Sequence, residues 1–321
     1  MSQVPVTILT GYLGAGKTTL LNRILDGDHG KKYAVIINEF GEVGIDNEIV
    51  VGADEEIFEM NNGCICCTVR GDLVRIIGGL MKRAGKLDGI IVETTGLADP
   101  APVAQTFFVD DEVRAKTKLD AIVTVVDARF LADRLADSHE AEEQIAFADA
   151  ILLNKIDLVD EAQLAATEAR VRAINPYAKL HRTRASGVAL DAILDQGAFD
   201  LQRILAVEPD FLETGHEHAH DEAIGSTSAT VDGPVDPEKL KIWIDRLLAT
   251  QGQSILRSKG VLSIAGAQQR YVFQGVHMLA DWAWGPTWKQ GEPRISKMVF
   301  IGRNLDAEAL HAGFAACAQG A

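Results

Sequence analysis

The sequence has no excess of positive charge, few cysteines and no long apolar run. Its 321 residues carry 31 Lys and Arg against 46 Asp and Glu, which gives a formal net charge of -15. Without a basic excess to neutralise phosphates, the composition argues against a general nucleic-acid-binding role. No apolar run reaches the roughly 20 residues that a membrane-spanning helix needs, so we expect no membrane partner. The residues after Met1 lack the basic region of a secretory signal, and we expect a cytoplasmic protein.

Only four cysteines are present, and three of them fall in one short segment as Cys64, Cys66 and Cys67. In a reducing compartment this clustering indicates metal or redox chemistry and not a framework of disulfides. Thiolates favour Zn²⁺, Co²⁺ or Cu⁺ over Mg²⁺. We therefore expect two or three of these thiolates to bind a transition metal, with a further ligand from elsewhere and Glu39 as the first candidate. Buried structural cysteines and a redox pair are the alternatives that the sequence leaves open.

The chain does contain a complete phosphate-binding loop. Residues 11–18 read G-Y-L-G-A-G-K-T and match the pattern G-x-x-x-x-G-K-[ST] in full. An apolar run precedes them and a run with helical spacing follows, so the loop is predicted between a buried strand and a helix. The glycines let backbone amides approach phosphate, Lys17 can reach the β- and γ-phosphates, and the Thr18 hydroxyl can hold Mg²⁺. The predicted phosphate-binding residues of the loop are Gly11, Gly14, Ala15, Gly16, Lys17 and Thr18.

The next predicted strand, 34–38, runs into a loop that carries three acidic residues. Glu39, Glu42 and Asp46 lie in a segment with interspersed glycines and no helical period. Because ligands of open α/β sheets bind beyond the carboxyl ends of strands, these acids are candidate ligands of Mg²⁺, water or a transition metal, and Asp46 is a candidate catalytic residue. The position also suits a switch segment that senses the γ-phosphate. Solvated loop acids are the alternative, above all for Glu42.

A second nucleotide motif follows the predicted strand 89–93. This strand ends in Glu93, and Gly96 comes after an intervening Thr-Thr. An acid at a strand end near a phosphate-binding loop can support Mg²⁺, and the amide of a nearby glycine can meet the γ-phosphate. We therefore assign a catalytic role to Glu93 and a phosphate-binding role to Gly96.

Guanine recognition is indicated by an N-K-x-D pattern directly after the apolar run 150–153. Asp157 can accept hydrogen bonds from the guanine N1–H and exocyclic amine, which adenine does not present in that way. A site built for those bonds rejects adenine, because its buried groups would stay unpaired. The Asn154 side chain and the Lys155 stem are predicted to pack around the base. Further along the chain, residues 185–186 could offer a backbone amide to the guanine carbonyl.

The alternation of predicted strands and helices over residues 1–204 indicates an α/β fold, a P-loop NTPase domain with a mostly parallel sheet flanked by helices. Periodicity is then lost, and residues 205–224 are predicted to form a linker. This linker carries histidines at alternate positions, namely His216, His218 and His220. In an extended backbone they would share one side, and such a tract is typical of weak Zn²⁺ or Co²⁺ binding. A polar linker with incidental histidines is the alternative.

Residues 225–321 show a second pattern of strands and helices, which predicts a small α+β domain. Three tryptophans, Trp282, Trp284 and Trp288, are predicted to lie in a loop between two of its strands. We expect them to pack this domain, and a partner surface is the alternative.

Taken together, these motifs resemble the CobW family of GTPases, which is related to the hydrogenase and urease accessory GTPases HypB and UreG. The resemblance rests on the phosphate-binding loop and on N-E-F-G-E-V-G-I-D, G-C-I-C-C, E-T-T-G-L-A-D-P and N-K-I-D. Further along, Leu256–Gly260, Val272–Val276 and Val299–Arg303 resemble the C-terminal domain of the family. The match therefore spans nearly the whole chain.

The resemblance implies a GTP-dependent metallochaperone that uses GTP and Mg²⁺ and serves a client metalloprotein or a metal-cofactor pathway. It adds Thr19 to the phosphate and Mg²⁺ residues, places the cargo metal on the three clustered cysteines, and matches Glu39 to an acid implicated in metal binding in relatives. A compact segment before N-K-x-D and a short histidine tract favour the zinc-related branch over cobalamin synthesis, with Zn²⁺ and Co²⁺ both open. We expect slow intrinsic hydrolysis and a monomer, or a dimer that depends on nucleotide or metal.

Two other classes of function remain open from the sequence. In a metal-buffering protein, the thiolates and histidines would bind ions while the nucleotide only stabilises the fold. Replacing Lys17 separates the two, because buffering should survive the loss of phosphate binding. A small-molecule P-loop kinase would transfer phosphate to an acceptor other than water, and the N-K-x-D pattern argues against it.

Overall fold

A computed structural model of the protein describes residues 3–27, 30–38, 57–60, 68–83, 87–199 and 224–320. The chain divides into two units, Met1–Arg172 with Tyr177–Gln196 and Ala173–Pro176 with Gly197–Ala321. The predicted linker 205–224 falls almost wholly outside the described residues, so its boundaries stay a prediction. Within the described ranges, no helix combines the length and apolarity that crossing a membrane requires.

The first unit is built on a parallel sheet. Its seven strands are β1 Val4–Thr10, β2 Tyr33–Asn38, β3 Ile57–Met60, β4 Gly89–Glu93, β5 Thr117–Asp127, β6 Ala150–Asn154 and β7 Lys179–Arg182. Neighbouring strands pair in the order β3-β2-β4-β1-β5-β6-β7, and every pair is parallel. Strands of such a sheet are covered on both faces and therefore read as continuous apolar runs. Ile8, Ile91 and Leu152 accordingly are almost fully buried, and the predicted α/β fold is confirmed.

Outside the undescribed segment between β2 and β3, helices connect these strands, as parallel pairing requires. In the described residues they are α1 Lys17–Leu25, α2 Thr68–Arg83, α3 Ala101–Val109, α4 Asp111–Lys116, α5 Leu131–Asp137, α6 His139–Phe147 and α7 Glu161–Ile174. Helix α1 buries Leu20, Leu21 and Ile24, which recur at helical spacing. This apolar stripe fixes the helix that follows the phosphate-binding loop.

The strand order places the phosphate-binding loop at the middle of the sheet. Strand β1 lies between β4 and β5, and Leu9 pairs in register with Glu93 on one side and Val123 on the other. The chain leaves β1 towards β2 and later returns past it to β5, so the connections diverge at β1. Open α/β sheets bind ligands at the carboxyl ends of strands where the connections diverge in this way.

The second unit is a small α+β domain. Its antiparallel sheet contains β8 Ile224–Asp232, β9 Ile255–Ser263, β10 Gln269–Val276, β11 Leu279–Thr287 and β12 Ile295–Arg303, paired in the order β11-β10-β9-β12-β8. Helices α8 Pro237–Gln251 and α9 Ala307–Ala315 share its apolar core, in which Phe273, Phe300 and Phe314 are almost fully buried. The Asp236 carboxylate caps α8 by accepting from the amides of Glu238 and Lys239. The predicted α+β domain is confirmed.

The position predicted for the tryptophans is wrong. Trp282 and Trp284 lie in strand β11 and not in a loop, while Trp288 directly follows that strand. The ring of Trp282 lies 4.5 Å from that of Phe273, and the ring of Trp284 lies 4.8 Å from that of Tyr271, measured between centroids. The sequence does not indicate strand β11, because it is an edge strand with little alternation in burial and its Gly-Pro pair resembles a turn.

Candidate functional site

The phosphate-binding loop has a backbone conformation that requires glycine. Gly11 and Gly16 have φ values of 140° and 114°, in the region that side chains disfavour. A Cβ atom on Gly11 would lie 2.2 Å from the carbonyl oxygen of Val125, and one on Gly16 would lie 2.5 Å from Nδ2 of Asn154. Both glycines therefore pack the loop against β5 and β6, which holds its curvature.

The loop presents an anion-binding helix terminus. Helix α1 begins at Lys17, and its first turn contains Thr18 and Thr19, with Gly16 at the N-cap and no side chain capping it. The first amides of such a helix attract phosphate. Lys17 is 8% exposed, and its ammonium donates to the Gly11 carbonyl oxygen at 2.8 Å, so the lysine side chain reaches back across the loop.

The second nucleotide motif lies against this loop. Glu93 ends β4 with only 7% of its surface exposed. The Thr94 hydroxyl donates to Oγ1 of Thr10 at 2.9 Å, which joins the ends of β4 and β1. A Cβ atom on Gly96 would lie 2.6 Å from the amide nitrogen of Leu13. Glycine is thus required for the turn after β4 to contact the loop, and the structure brings the two predicted motifs together.

Asn154 joins the predicted guanine-reading segment to the phosphate-binding loop. Its Nδ2 donates to the carbonyl oxygen of Ala15 at 2.9 Å and to Oγ of Ser186 at 3.1 Å. Its Oδ1 accepts from the Ser186 amide at 2.8 Å and from the Thr183 hydroxyl at 3.1 Å. The Ser186 hydroxyl completes the network by donating to the Gly16 carbonyl oxygen at 2.9 Å. The sequence predicts that Asn154 packs around the base, and this stays a prediction. The structure shows in addition that its side chain braces the loop.

Lys155 forms a second connection between the same segments. Its backbone has a φ of 61°, and its ammonium donates to the Gly14 carbonyl oxygen and to Oδ2 of Asp127, each at 2.7 Å. The lysine stem therefore spans from the end of β6 to the loop. Asp157 follows in a short 3-10 turn and is exposed, which leaves its carboxylate accessible to a base.

A small pocket of about 30 Å³, partly open to solvent, lies beside the loop on the side of β5. Apolar side chains and a few polar groups line it: Tyr12, Leu13, Thr124, Val125, Val126, Asp127, Phe130, Leu131, Arg134, Ala141, Gln144 and Ile145. The Arg134 guanidinium lies 5.0 Å from the centre of the Tyr12 ring, within the range of a cation–π contact. This contact links α5 to the loop.

The predicted cargo-metal residues lie outside the described residues. These are Cys64, Cys66, Cys67, Glu39, Glu42, His216, His218 and His220, and the candidate catalytic residue Asp46 lies outside them as well. Among the residues that the structure describes, no group of three His, Cys, Asp or Glu side chains could hold a metal ion.

Sequence reasoning missed two contributors to the site. Asp127 ends an apolar strand just as Glu93 and Asn154 do, so its position at the same sheet edge was a usable signal. Gln144 gave no such signal. It is one polar residue among the buried residues of α6, and the partners of its side chain lie more than forty positions away in the chain.

Comparison with protein families matches both units. Residues 5–182 match the CobW/HypB/UreG nucleotide-binding domain, and residues 224–318 match the cobalamin synthesis protein cobW C-terminal domain. The resemblance stated from the motifs is therefore confirmed.

Similar proteins cover the chain almost completely. The zinc chaperone YjiA of Escherichia coli is 36% identical over 320 residues, which span 98% of this chain and 99% of that protein. The zinc chaperone CobW of Pseudomonas aeruginosa is 36% identical over 97% of this chain and 90% of its own length. The crystal structure of Zn(II)-bound YjiA GTPase from E. coli superposes with a TM-score of 0.77 at 30% identity, covering 99% of this chain and all of that one. The chain therefore belongs to the CobW/HypB/UreG family of P-loop GTPases and carries the family's C-terminal domain.

Proposed function

We propose that this GTPase is a zinc metallochaperone, in which GTP binding tightens a zinc site and GTP hydrolysis loosens it for delivery to a client protein. The observation that carries the proposal is the combination of a complete nucleotide site with a C-x-C-C segment in a chain 36% identical to a zinc chaperone over 98% of its length. The predicted roles of the cysteines and of Glu39 remain part of this proposal.

The backbone supports the proposed zinc site through the strands that flank it. Asn38 and Met60 are register partners at the carboxyl ends of β2 and β3. Glu39 directly follows Asn38, and the cysteine segment lies between Met60 and the start of α2 at Thr68. Both candidate ligand segments therefore leave the sheet from neighbouring points, at the edge that also carries the phosphate-binding loop.

The residues at the loop account for hydrolysis. Water attacks the γ-phosphorus of GTP while the bond from that phosphorus to the β,γ-bridging oxygen breaks, which yields GDP, inorganic phosphate and a proton. Lys17 and the loop amides stabilise the negative charge that develops on the phosphoryl oxygens. The Lys17 ammonium must first exchange the Gly11 carbonyl for a phosphate oxygen. Asp157 accepts the guanine N–H groups and thereby selects GTP over ATP.

Thr18 and Glu93 fit a magnesium site, because they supply oxygen ligands from two neighbouring elements beside the loop. When bound, Mg²⁺ neutralises charge on the β- and γ-phosphates. Replacing Glu93 by Gln keeps the size of the side chain and removes its charge. We propose that this change weakens the magnesium dependence of GTP binding and leaves zinc binding in the GDP state unchanged.

The test is a zinc titration in two nucleotide states. Competition with a chelator gives the zinc affinity of the full chain with Mg²⁺GDP and with Mg²⁺ and a non-hydrolysable GTP analogue. Coupling between sites is commonly 1–3 kcal/mol, so zinc should bind about tenfold tighter with the analogue. Equal zinc affinities in the two states would overturn the coupling. Co²⁺ used as a probe should show thiolate charge-transfer bands that intensify with the analogue.

Two cysteine variants make this test specific. Cys66→Ser should abolish the nucleotide-dependent part of zinc binding. Cys317→Ser is the matched control, because Cys317 is buried in the second unit and contacts the Gly313 carbonyl, so it should leave zinc binding unchanged.

Lys17→Ala separates the chaperone from a metal buffer. A chaperone loses the nucleotide effect with this variant, and unchanged zinc transfer to an apo-acceptor would favour the buffer.

A further inference from the structure

One buried side chain that is not part of the turn after β4 forms hydrogen bonds to the backbone of that turn. Gln144 of α6 is 1% exposed, and its amide nitrogen donates to the carbonyl oxygens of Gly96 at 3.2 Å and Ala98 at 3.1 Å. The turn itself is closed by the Ala98 amide, which donates to the Thr95 carbonyl oxygen at 3.1 Å. The two amide hydrogens of one glutamine therefore hold two carbonyl groups of this turn, those of Gly96 and Ala98.

Gln144 is itself fixed to the sheet. Its backbone carbonyl accepts from the hydroxyl of Thr124 at 2.7 Å, and Thr124 lies in β5, the strand next to β1. A continuous set of contacts thus runs from β5 through Thr124 and Gln144 to Gly96. From Gly96 it reaches the phosphate-binding loop at Leu13, where the glycine leaves no room for a Cβ atom.

The orientation of the Gly96 peptide decides what its neighbours can bind. Gln144 holds the Gly96 carbonyl, which shares a peptide plane with the Leu97 amide, whereas the Gly96 amide shares its plane with the Thr95 carbonyl. The Ala98 amide holds that Thr95 carbonyl, and Gln144 in turn holds the Ala98 carbonyl. The Thr95 hydroxyl is buried and makes no hydrogen bond within the described part of the chain, so it does not fix the turn. The orientation of the Gly96 amide therefore depends on the hydrogen bond from Ala98 to Thr95 and on Gln144, which holds the Gly96 and Ala98 carbonyls.

We propose that Gln144 is a positioning residue that aims the Gly96 amide at the γ-phosphate, so that it sets the preference of the protein for GTP over GDP. This inference rests on the proposed nucleotide site and deepens it. Gln144 does not touch the nucleotide. It acts on the γ-phosphate through the turn, and GDP lacks the group that this turn would contact.

The experiment compares affinities for GDP and a non-hydrolysable GTP analogue in Gln144→Glu and Gln144→Met. The glutamate variant has the same shape, but its carboxylate faces the two carbonyl oxygens instead of donating to them. The methionine variant is similar in volume and has no donor. A hydrogen bond to a charged phosphate is commonly worth about a tenfold change in affinity or more. Both variants should therefore lose about tenfold in affinity for the analogue and less than about twofold for GDP.

Gln105→Glu is the control, because Gln105 is a partly buried glutamine of α3 outside the nucleotide site, and the variant makes the same chemical change. GDP binding reports whether each variant is folded. If either Gln144 variant cannot bind GDP, Thr124→Val weakens the support of Gln144 more gently and should shift the same ratio in the same direction.

The outcomes distinguish this inference from the proposed function. If the wild-type protein binds GDP and the analogue without Mg²⁺-dependent GTP hydrolysis, the proposed function fails. If the wild type hydrolyses GTP, and the Gln144 variants lose affinity equally for both nucleotides, Gln144 has a structural role and the inference is wrong. Unchanged kcat/KM for GTP in both variants would overturn it as well.

Discussion

Removing the Asn154 side chain tests whether guanine recognition and phosphate binding share one hydrogen-bond network. Asn154→Ala deletes four hydrogen bonds of 2.8–3.1 Å and leaves the Ser186 amide and the Thr183 hydroxyl without this partner in a buried position. An unsatisfied buried polar group costs about 1–3 kcal/mol. Two such groups give an expected total loss of about 2–6 kcal/mol, shared between the free energy of folding and that of nucleotide binding.

The assay compares the dissociation constants of GDP and IDP, which lacks the exocyclic amine of guanine. Asn154→Ala should weaken both nucleotides about equally, by tenfold or more, because it loosens the loop that binds the shared phosphates. Asp157→Ala is the contrasting variant, since Asp157 is exposed and lies outside the network. Asp157→Ala should make the affinities for GDP and IDP similar, because GDP loses the hydrogen bond from its exocyclic amine to the carboxylate, which is worth about 1.5–3 kcal/mol.

The result that would refute this reasoning is a selective effect on the base. If Asn154→Ala weakens GDP and leaves IDP unchanged, Asn154 contacts the exocyclic amine of guanine and does not support the loop. Thermal unfolding of each variant separates lost stability from lost binding. Thr183→Val removes one hydrogen bond of the network and serves as a milder variant if Asn154→Ala does not fold.

Three further predictions follow from single contacts. Lys17→Ala should reduce phosphate release from GTP by about a hundredfold or more in a steady-state assay, since it removes the cation that stabilises the phosphoryl charge; an unchanged rate would contradict its role. Gly313→Ala places a methyl group about 2.2 Å from Nε1 of Trp243, and denaturant unfolding should show a loss of about 1–3 kcal/mol. Burial, followed by the charge of Lys179, holds the pKa of His181 below its usual value of 6.5. Below about pH 6.5 the unfolded chain therefore binds a proton at His181 more readily than the folded chain does, so the free energy of unfolding falls as the pH drops. His181→Gln should reduce this fall between about pH 7 and pH 5.

The nucleotide-binding half of the fold could be predicted from local patterns. The spacing of G-x-x-x-x-G-K-T requires a strand before Gly11 and a helix from Lys17, and the structure has β1 and α1 there. Apolar runs that end in Glu93 and Asn154 gave the neighbouring strands, because a parallel sheet buries both faces of each strand. A site residue can be recognised from sequence when it directly follows a long apolar run that marks a buried strand.

Side-chain partners that lie far apart in the chain could not be predicted in this way. Asn154 bonds to Ser186, 32 positions further on, and Gln144 bonds to Gly96, 48 positions earlier. Nothing in the periodicity of α6 distinguishes a glutamine that holds a turn from one that simply packs. Strand β11 was missed for another reason, since pairing with β10 at the sheet edge outweighs the turn propensity of its Gly-Pro pair.

The strand order also sets a distance between charges. Ile37 of β2, Glu93 of β4 and Leu9 of β1 are register partners in one row across the sheet. Neighbouring strands lie about 4.8 Å apart, so the ends of β2 and β1 are separated by about 10 Å. At that distance and an effective dielectric constant of about 20, each pair of unit charges interacts by about 1.7 kcal/mol. A dication at the end of β2 would therefore lose electrostatic stabilisation when phosphate leaves the loop beyond β1, even if no backbone atom moved.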